Sequence, residues 1–279
     1  MAIRLGGKAA NDLLKEEIAL KAAKLKVTPK LALIRVGNNE NDLAYENSLL
    51  KKTAALKIAI TVYPFADNAE ETELLALIAA LNKDCQVHGI MIFRPLPKHL
   101  NEYRLLSSID PLKDVDCAGE RALSKLLLDR PGFYPCTAEA VIRLLDHYAY
   151  ELQGKKVVVI GRSLVVGKPL GLLLLKRNAT VTICHSKTED LKKECQTADI
   201  VISCMGQSEF LDEHYFKDTS VVIDVGVVYN PQKDKITGDV DYEKVFPRVA
   251  ALSPVPGGVG MLTSTILLSH VVAAAGELC

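Results

Sequence analysis

VVVIGRSLVVGKPLGLLLL, residues 157–175, decides the fold of this chain. A β-branched apolar run enters a tight turn at Gly161, and Gly167 and Gly171 then mark the start and interior of a Leu-rich helical run. Such a strand–glycine–helix turn aims backbone N–H groups and the positive end of a helix at a phosphate. The pattern departs from G-x-G-x-x-G, because Ser163 stands where the second glycine would be. Gly161, Arg162, Ser163 and Gly167 are the first candidate cofactor-binding residues, with an ordinary structural turn as the alternative.

The next strand, TVTICHS (180–186), ends where a dinucleotide site reads the ribose. An NAD site places a carboxylate there, but Cys184, His185, Ser186, Lys187 and Thr188 supply no acid before Glu189. A carboxylate would repel the extra phosphate of NADP, whereas Arg162, Ser186 and Lys187 could bind it. The stretch therefore favours NADP over NAD, although His185 and Lys187 could equally form a solvated loop. Further on, VVIDVG (221–226) ends a strand at the carboxyl edge of the sheet, and Val227 follows it as another cofactor candidate. SPVPGGVGML (253–262) packs two prolines and three glycines into ten residues. Its stiff backbone could approach a flat ring closely, which marks Pro254, Gly257 and Gly258.

Toward the N-terminus, helical spacing over 9–26 precedes a buried strand at LALIRVG (31–37). A helix over 43–56, a strand at ITVYPF (60–65), a helix over 70–82 and a strand in HGIMIFRPLP (88–97) follow. PGFYPCTAEAVIRLLDHY (131–148) reads as a loop and then a helix capped by Thr137. The alternation restarts with KKVVVIGRS (155–163), TVTICHS, ADIVISCMG (198–206) and SVVIDVG (220–226). This is an α/β chain of two domains with parallel sheets, divided at 1–137 and 138–261.

The 279-residue length suits one large or two modest domains. Basic and acidic residues number 34 each, which argues against binding nucleic acid by bulk phosphate neutralisation. Nine Tyr, six Phe and no Trp argue against a base-stacking surface. MAIRLGGKAANDLLKEEIAL reaches charged residues before any signal-peptide core can form, and no apolar stretch reaches the roughly 18 residues of a membrane helix. Seven scattered cysteines without a CxxC pair predict free thiols in a reducing cytoplasm, with no metal site.

In their order along the chain, GRSLVVGKP, TVTICHSKT, ADIVISCMG, VVIDVG, GDVDY (238–242) and PVPGGVG resemble the FolD family of methylenetetrahydrofolate dehydrogenase/cyclohydrolases. LALIRVGNN with Tyr45 following, VHGIMIFRPLP, PLKDVD (111–116) and YPCTAEA extend the resemblance over the whole chain. It implies a homodimer whose 1–137 domain binds tetrahydrofolate derivatives and whose 138–261 domain is a Rossmann-type NADP domain. It also implies that a last helix, within 262–279, returns to the first domain. The family oxidises 5,10-methylenetetrahydrofolate by hydride transfer to NADP and hydrolyses the methenyl product.

The family's catalytic pattern is a Tyr with a Lys four residues on, a Gln in VQLPLP, and the second Asp of KDVDG. Tyr45 and Asp116 match it as catalytic and substrate-binding residues, with Pro254, Gly257 and Gly258 joining them on the substrate. The Lys position is Leu49 and the Gln position Phe93; Arg94, Cys117 and Ala122 are further departures. Lys51 lies on another helical face from Tyr45, and Lys52 about one turn too far. Hydride transfer needs mainly that two rings be held face to face, whereas hydrolysis needs a managed proton. A dehydrogenase with doubtful cyclohydrolase activity is therefore expected. The alternatives are a bifunctional enzyme using Lys51 or Lys52, a non-catalytic NADP-binding paralogue, or a dehydrogenase for another substrate.

Overall fold

The computed structural model describes residues 2–278. In chain order the first half runs β1 (Ile3–Arg4), α1 (Lys8–Ala22), β2 (Lys30–Val36), α2 (Glu40–Leu56), β3 (Ala59–Phe65), α3 (Glu71–Lys83) and β4 (Gly89–Ile92). Three helices, α4 (Glu102–Ser107), α5 (Glu120–Leu127) and α6 (Cys136–His147), lead into β5 (Lys156–Ile160). Then come α7 (Gly167–Lys176), β6 (Thr180–Cys184), α8 (Leu191–Thr197), β7 (Ile200–Ser203) and β8 (Val221–Asp224). A hairpin, β9 (Val228–Asn230) and β10 (Lys235–Thr237), precedes α9 (Tyr242–Val245), β11 (Ala251–Leu252) and α10 (Gly260–Leu278). The chain forms two compact units, one of residues up to Asp12 with Thr137–Thr263, the other of Leu13–Cys136 with residues from Ser264 on.

The unit containing Leu13–Cys136 is built on a parallel sheet in the order β3-β2-β4. Central β2 is buried along almost its whole length, as its unbroken LALI run requires. Pro64 lies in β3, an edge strand, where a missing N–H breaks no ladder on the open side. Ile34, Leu74, Ile78, Ile90 and Leu105 form its core. From Ser264 on, α10 packs into this unit: His270 Nδ1 lies 2.7 Å from the Val115 carbonyl, so that nitrogen carries the proton. By length and composition α10 could cross a membrane, against the expectation that no stretch is long enough. Its Ile266, Leu267, Leu268, Val271 and Val272 are buried, so here it is a core helix.

The other unit carries a parallel six-stranded sheet in the order β1-β11-β8-β7-β5-β6. β5 pairs with β6 on one side and with β7 on the other, so the chain reverses its direction of winding there. The carboxyl ends of β5 and β7 thus frame the switch-point crevice where open α/β sheets bind ligands. β1 pairs with β11, bringing the first residues into this sheet rather than the other unit, a departure from the division at 137. A two-residue strand carries no periodicity by which sequence could place it. Thr137 is the second residue of α6, not its N-cap, because the helix already begins at Cys136.

Candidate active site

At the end of β5, Gly161 has φ +134 and donates its N–H to the Cys184 carbonyl at 2.9 Å. The start of α7 lies directly against this turn: a Cβ on Gly167 would stand 2.1 Å from the Gly161 oxygen and 2.9 Å from the Arg162 nitrogen. Only glycine lets the helix N-terminus come so close to the turn. Ser163, at the missing-glycine position, uses its hydroxyl to accept from the Val166 N–H at 3.1 Å. The departure is therefore accommodated by a side-chain bond that shapes the turn.

Gly161, Arg162, Ser163, His185 and Ser186 line one cavity of about 330 Å³. Lys187 is not among its walls. The 185–188 loop is tied to itself, with the Lys187 N–H donating to His185 Nδ1 (3.1 Å) and the His185 N–H to Thr188 Oγ1 (2.9 Å). Val227, with Val225 and Gly226, lines a second cavity of about 290 Å³. Cys204 belongs to both walls, so the two cavities share an edge above β7. Burial pushes its thiol up to about 12, which leaves it protonated and unreactive at neutral pH.

The 253–259 loop lies in the same unit. Gly257 accepts from the Gly7 N–H at 2.8 Å, and Ser253 Oγ accepts from the Asp224 N–H at 2.8 Å. Pro254 and Gly258 are buried, Gly257 is half-buried, and the next residues Val259 and Gly260 reach the second cavity.

The remaining candidates lie in the unit with the three-stranded sheet. Tyr45 on α2 meets Phe93, just past β4, edge to face with ring centres 6.0 Å apart. Leu49, one turn further along α2, is 0% exposed. Burial lifts the Tyr45 hydroxyl far above the usual phenol range, and the neighbouring Cys136 and Asp116 lift it further. Asp116 Oδ2 accepts from Arg94 Nη2 at 2.9 Å and is also hydrogen-bonded by the Cys136 thiol. Burial raises its carboxyl, and the Arg94 guanidinium opposes that rise. Cys117 follows at φ +53, the left-handed region that suits the glycine of the family pattern. Of the two lysines, Lys51 is exposed, while half-buried Lys52 donates to Ser264 on α10. Desolvation, reinforced by Lys15, holds the Lys52 ammonium below its ordinary range.

Residues 5–116 match the sequence profile described as the tetrahydrofolate dehydrogenase/cyclohydrolase catalytic domain, and residues 135–278 match that of its NAD(P)-binding domain. The chain belongs to this family. It is 46% identical over 266 residues to the bifunctional protein FolD of Clostridium botulinum strain Langeland, covering 94% of each. It is also 46% identical over 268 residues to bifunctional protein FolD 1 of Desulfitobacterium hafniense, covering 95% of this chain and 94% of that one. The bifunctional FolD structure from Campylobacter jejuni superposes with a TM-score of 0.96 at 39% identity, over 99% of both chains. The Trypanosoma brucei enzyme, solved with NADP and an inhibitor, gives 0.92 at 31% identity, over 99% of this chain and 98% of that one.

Sequence reasoning missed three features of this FolD-family chain. The Arg94–Asp116 pair joins residues 22 apart, and only the Arg after β4 hinted at it. Asp224 and Asp239 are buried carboxylates behind the cavities. Their signal was an acid inside apolar runs, in VVIDVG and GDVDY, where an unpaired charge would be costly.

Proposed function

We propose that this chain oxidises 5,10-methylenetetrahydrofolate with NADP and does not accelerate hydrolysis of the methenyl product. The observation that carries the second half is Leu49, fully buried one helical turn from Tyr45, with Phe93 edge-on to the same ring. The cofactor residues present fit a dinucleotide: glycine at 167 lets the start of α7 lie against the Gly161 turn where a Cβ would strike its backbone, and Arg162 and Ser186 line a cavity beside it whose walls include no carboxylate. When bound, NADP accepts the hydride; every other task falls to the protein. Gly161, Arg162, Ser163 and Gly167 would hold the phosphates, Ser186 and Arg162 the 2′-phosphate, and Val227 would border the ring end.

On the substrate side, Tyr45 stays protonated at neutral pH, so its hydroxyl donates but is no base. Arg94 and the Cys136 thiol both hold the Asp116 carboxylate, whose remaining lone pairs would accept from a ring N–H, and a guanidinium cannot itself take up a proton. Leu49 and Phe93 supply neither acceptor nor donor side chains for an attacking water. Hydride transfer between aligned rings survives these changes; proton-managed hydrolysis does not. The test follows methenyl absorbance with purified protein, methylenetetrahydrofolate and NADP in a non-catalytic buffer. Accumulation of the methenyl product, with no enzyme-dependent decay, supports the reading; no oxidation at all points to a non-catalytic NADP-binding protein.

A second reading, a full bifunctional enzyme, is favoured by the half-buried Lys52, whose depressed ammonium is nearer to a usable base, and by the bifunctional relatives at 46% identity. Rapid methenyl hydrolysis abolished by Lys52→Ala would establish it. We also infer a homodimer, on family grounds, testable by light scattering. We infer a reducing cytoplasm from six cysteines that, among the described residues, stand outside any disulfide.

A further inference from the structure

Behind both cavities lies a buried carboxylate, Asp239, which is 0% exposed. Its Oδ2 accepts from the Ser203 hydroxyl and the Met205 N–H, and its Oδ1 from the Gln207 N–H, all at 2.7 Å. These donors span the turn leaving β7. That turn supplies Cys204, Met205 and Gln207 to the first cavity, and Cys204 and Gly206 to the second. The same carboxylate presses on Gly226, where a Cβ would stand 2.2 Å from Oδ1, and Gly226 also lines the second cavity. Asp239 is itself placed by Asp224. Asp224 Oδ1 accepts from the Asp239 and Gly226 N–H groups at 3.0 Å each, and Oδ2 from the Val240 N–H at 2.9 Å.

We propose that Asp239 is the positioning residue of the nucleotide site. Its carboxylate fixes the Ser203–Gln207 turn and the Gly226 backbone in the shape that admits a dinucleotide, and so sets nucleotide affinity without touching the ligand. The inference rests on the nucleotide reading above. Beyond Cys204, whose N–H still donates to the Ile160 carbonyl at 2.9 Å, the turn belongs to no strand or helix, so the shape of its Met205–Gln207 part depends on these bonds. An ionised carboxylate is the one side chain that accepts from three donors over two oxygens and donates nothing. Asparagine would keep one oxygen and turn an NH2 group toward an N–H donor. A wall held rigid before binding spares the ordering cost that a loose wall imposes on the ligand.

The experiment titrates NADPH fluorescence on Ser203→Ala, Asp239→Asn and Asp239→Ala, and measures kcat and KM on the same proteins. One bond is lost in the first variant, the Gln207 bond becomes a repulsive contact between two N–H donors in the second, and all three are lost in the third. Kd for NADPH is expected to rise about threefold, about tenfold and more than about thirtyfold in that order. KM for nucleotide should rise in parallel, while kcat at saturating nucleotide and KM for the folate stay within about twofold. A folded Asp239→Asn protein with wild-type Kd overturns the proposal. So does a loss of kcat at unchanged Kd, the mark of a merely structural residue. If the Asp239 variants do not fold, an unchanged Kd in Ser203→Ala overturns it alone. Wild-type protein that binds no NADPH removes the nucleotide reading and this inference together; wild-type binding with unaffected variants removes only the inference.

Discussion

Replacing Gly167 by Ala tests the geometry of the proposed phosphate turn at a single atom. The new Cβ would stand 2.1 Å from the Gly161 oxygen and 2.5 Å from its carbon, about 1.3 Å inside the 3.4 Å at which ordinary contact begins. Both atoms are backbone, so no rotamer change relieves the clash. The turn is also tied at each end, by Gly161 N–H to the Cys184 carbonyl (2.9 Å) and by Lys168 N–H to the Ser163 carbonyl (3.0 Å). The start of α7 and the Gly161–Arg162 peptide must therefore separate by roughly 1 Å, and a misplacement of that size at a binding constellation costs about 10²-fold. Kd for NADPH should rise about 100-fold, equivalent to about 2.7 kcal/mol. The strain should also lower stability by about 1–3 kcal/mol, a few degrees in Tm. Gly171→Ala is the comparison, because the one tight contact of its Cβ is with the end of the Ile183 side chain, at 3.0 Å, which can shift. Fluorescence titration with NADPH, alongside far-UV circular dichroism, reads both. A Gly167→Ala protein that binds NADPH within threefold of wild type at unchanged Tm would refute the reasoning.

Ser186→Asp should move the NADP-to-NAD ratio of kcat/KM at least about tenfold toward NAD, since a carboxylate in that cavity wall repels the 2′-phosphate; an unchanged ratio would place the phosphate elsewhere. Leu49→Lys with Phe93→Gln should accelerate methenyl hydrolysis, within the 10²–10⁴-fold span of acid–base help, and lower Tm because an ammonium enters a fully buried position. No gain in a folded double variant would show that these two positions do not limit hydrolysis. Burial holds the Asp224 carboxyl up at about 7, against 3.8 unperturbed. The folded state then holds that proton where the unfolded chain has released it, so the associated stability is present below about pH 4 and is lost as pH rises through 7. Urea midpoints from pH 4 to 8 should therefore fall more steeply in wild type than in Asp224→Asn; parallel slopes would count against it.

The sequence by itself determined the fold class, the order of the longer strands and helices, and the glycine turn after β5. Each of these is written in contiguous residues: the VVVI run into Gly161, the spacing to Gly167, and the absence of an acid from Cys184 to Thr188. The resemblance to the family also exposed Leu49 and Phe93, because its Lys four residues after the Tyr and its Gln in VQLPLP fall on those positions. Only the tertiary structure decided that the first residues pair with β11, that Thr137 lies inside α6, and that the apolar α10 is a core helix. It alone showed Arg94 meeting Asp116, Lys52 meeting Ser264 across 212 residues, and Asp239 gathering three donors from the turn after β7. The physical reason is range. Periodicity and turn chemistry act over a few residues, whereas the partner of a buried charge is chosen by whichever distant segment the folded chain brings within hydrogen-bond reach.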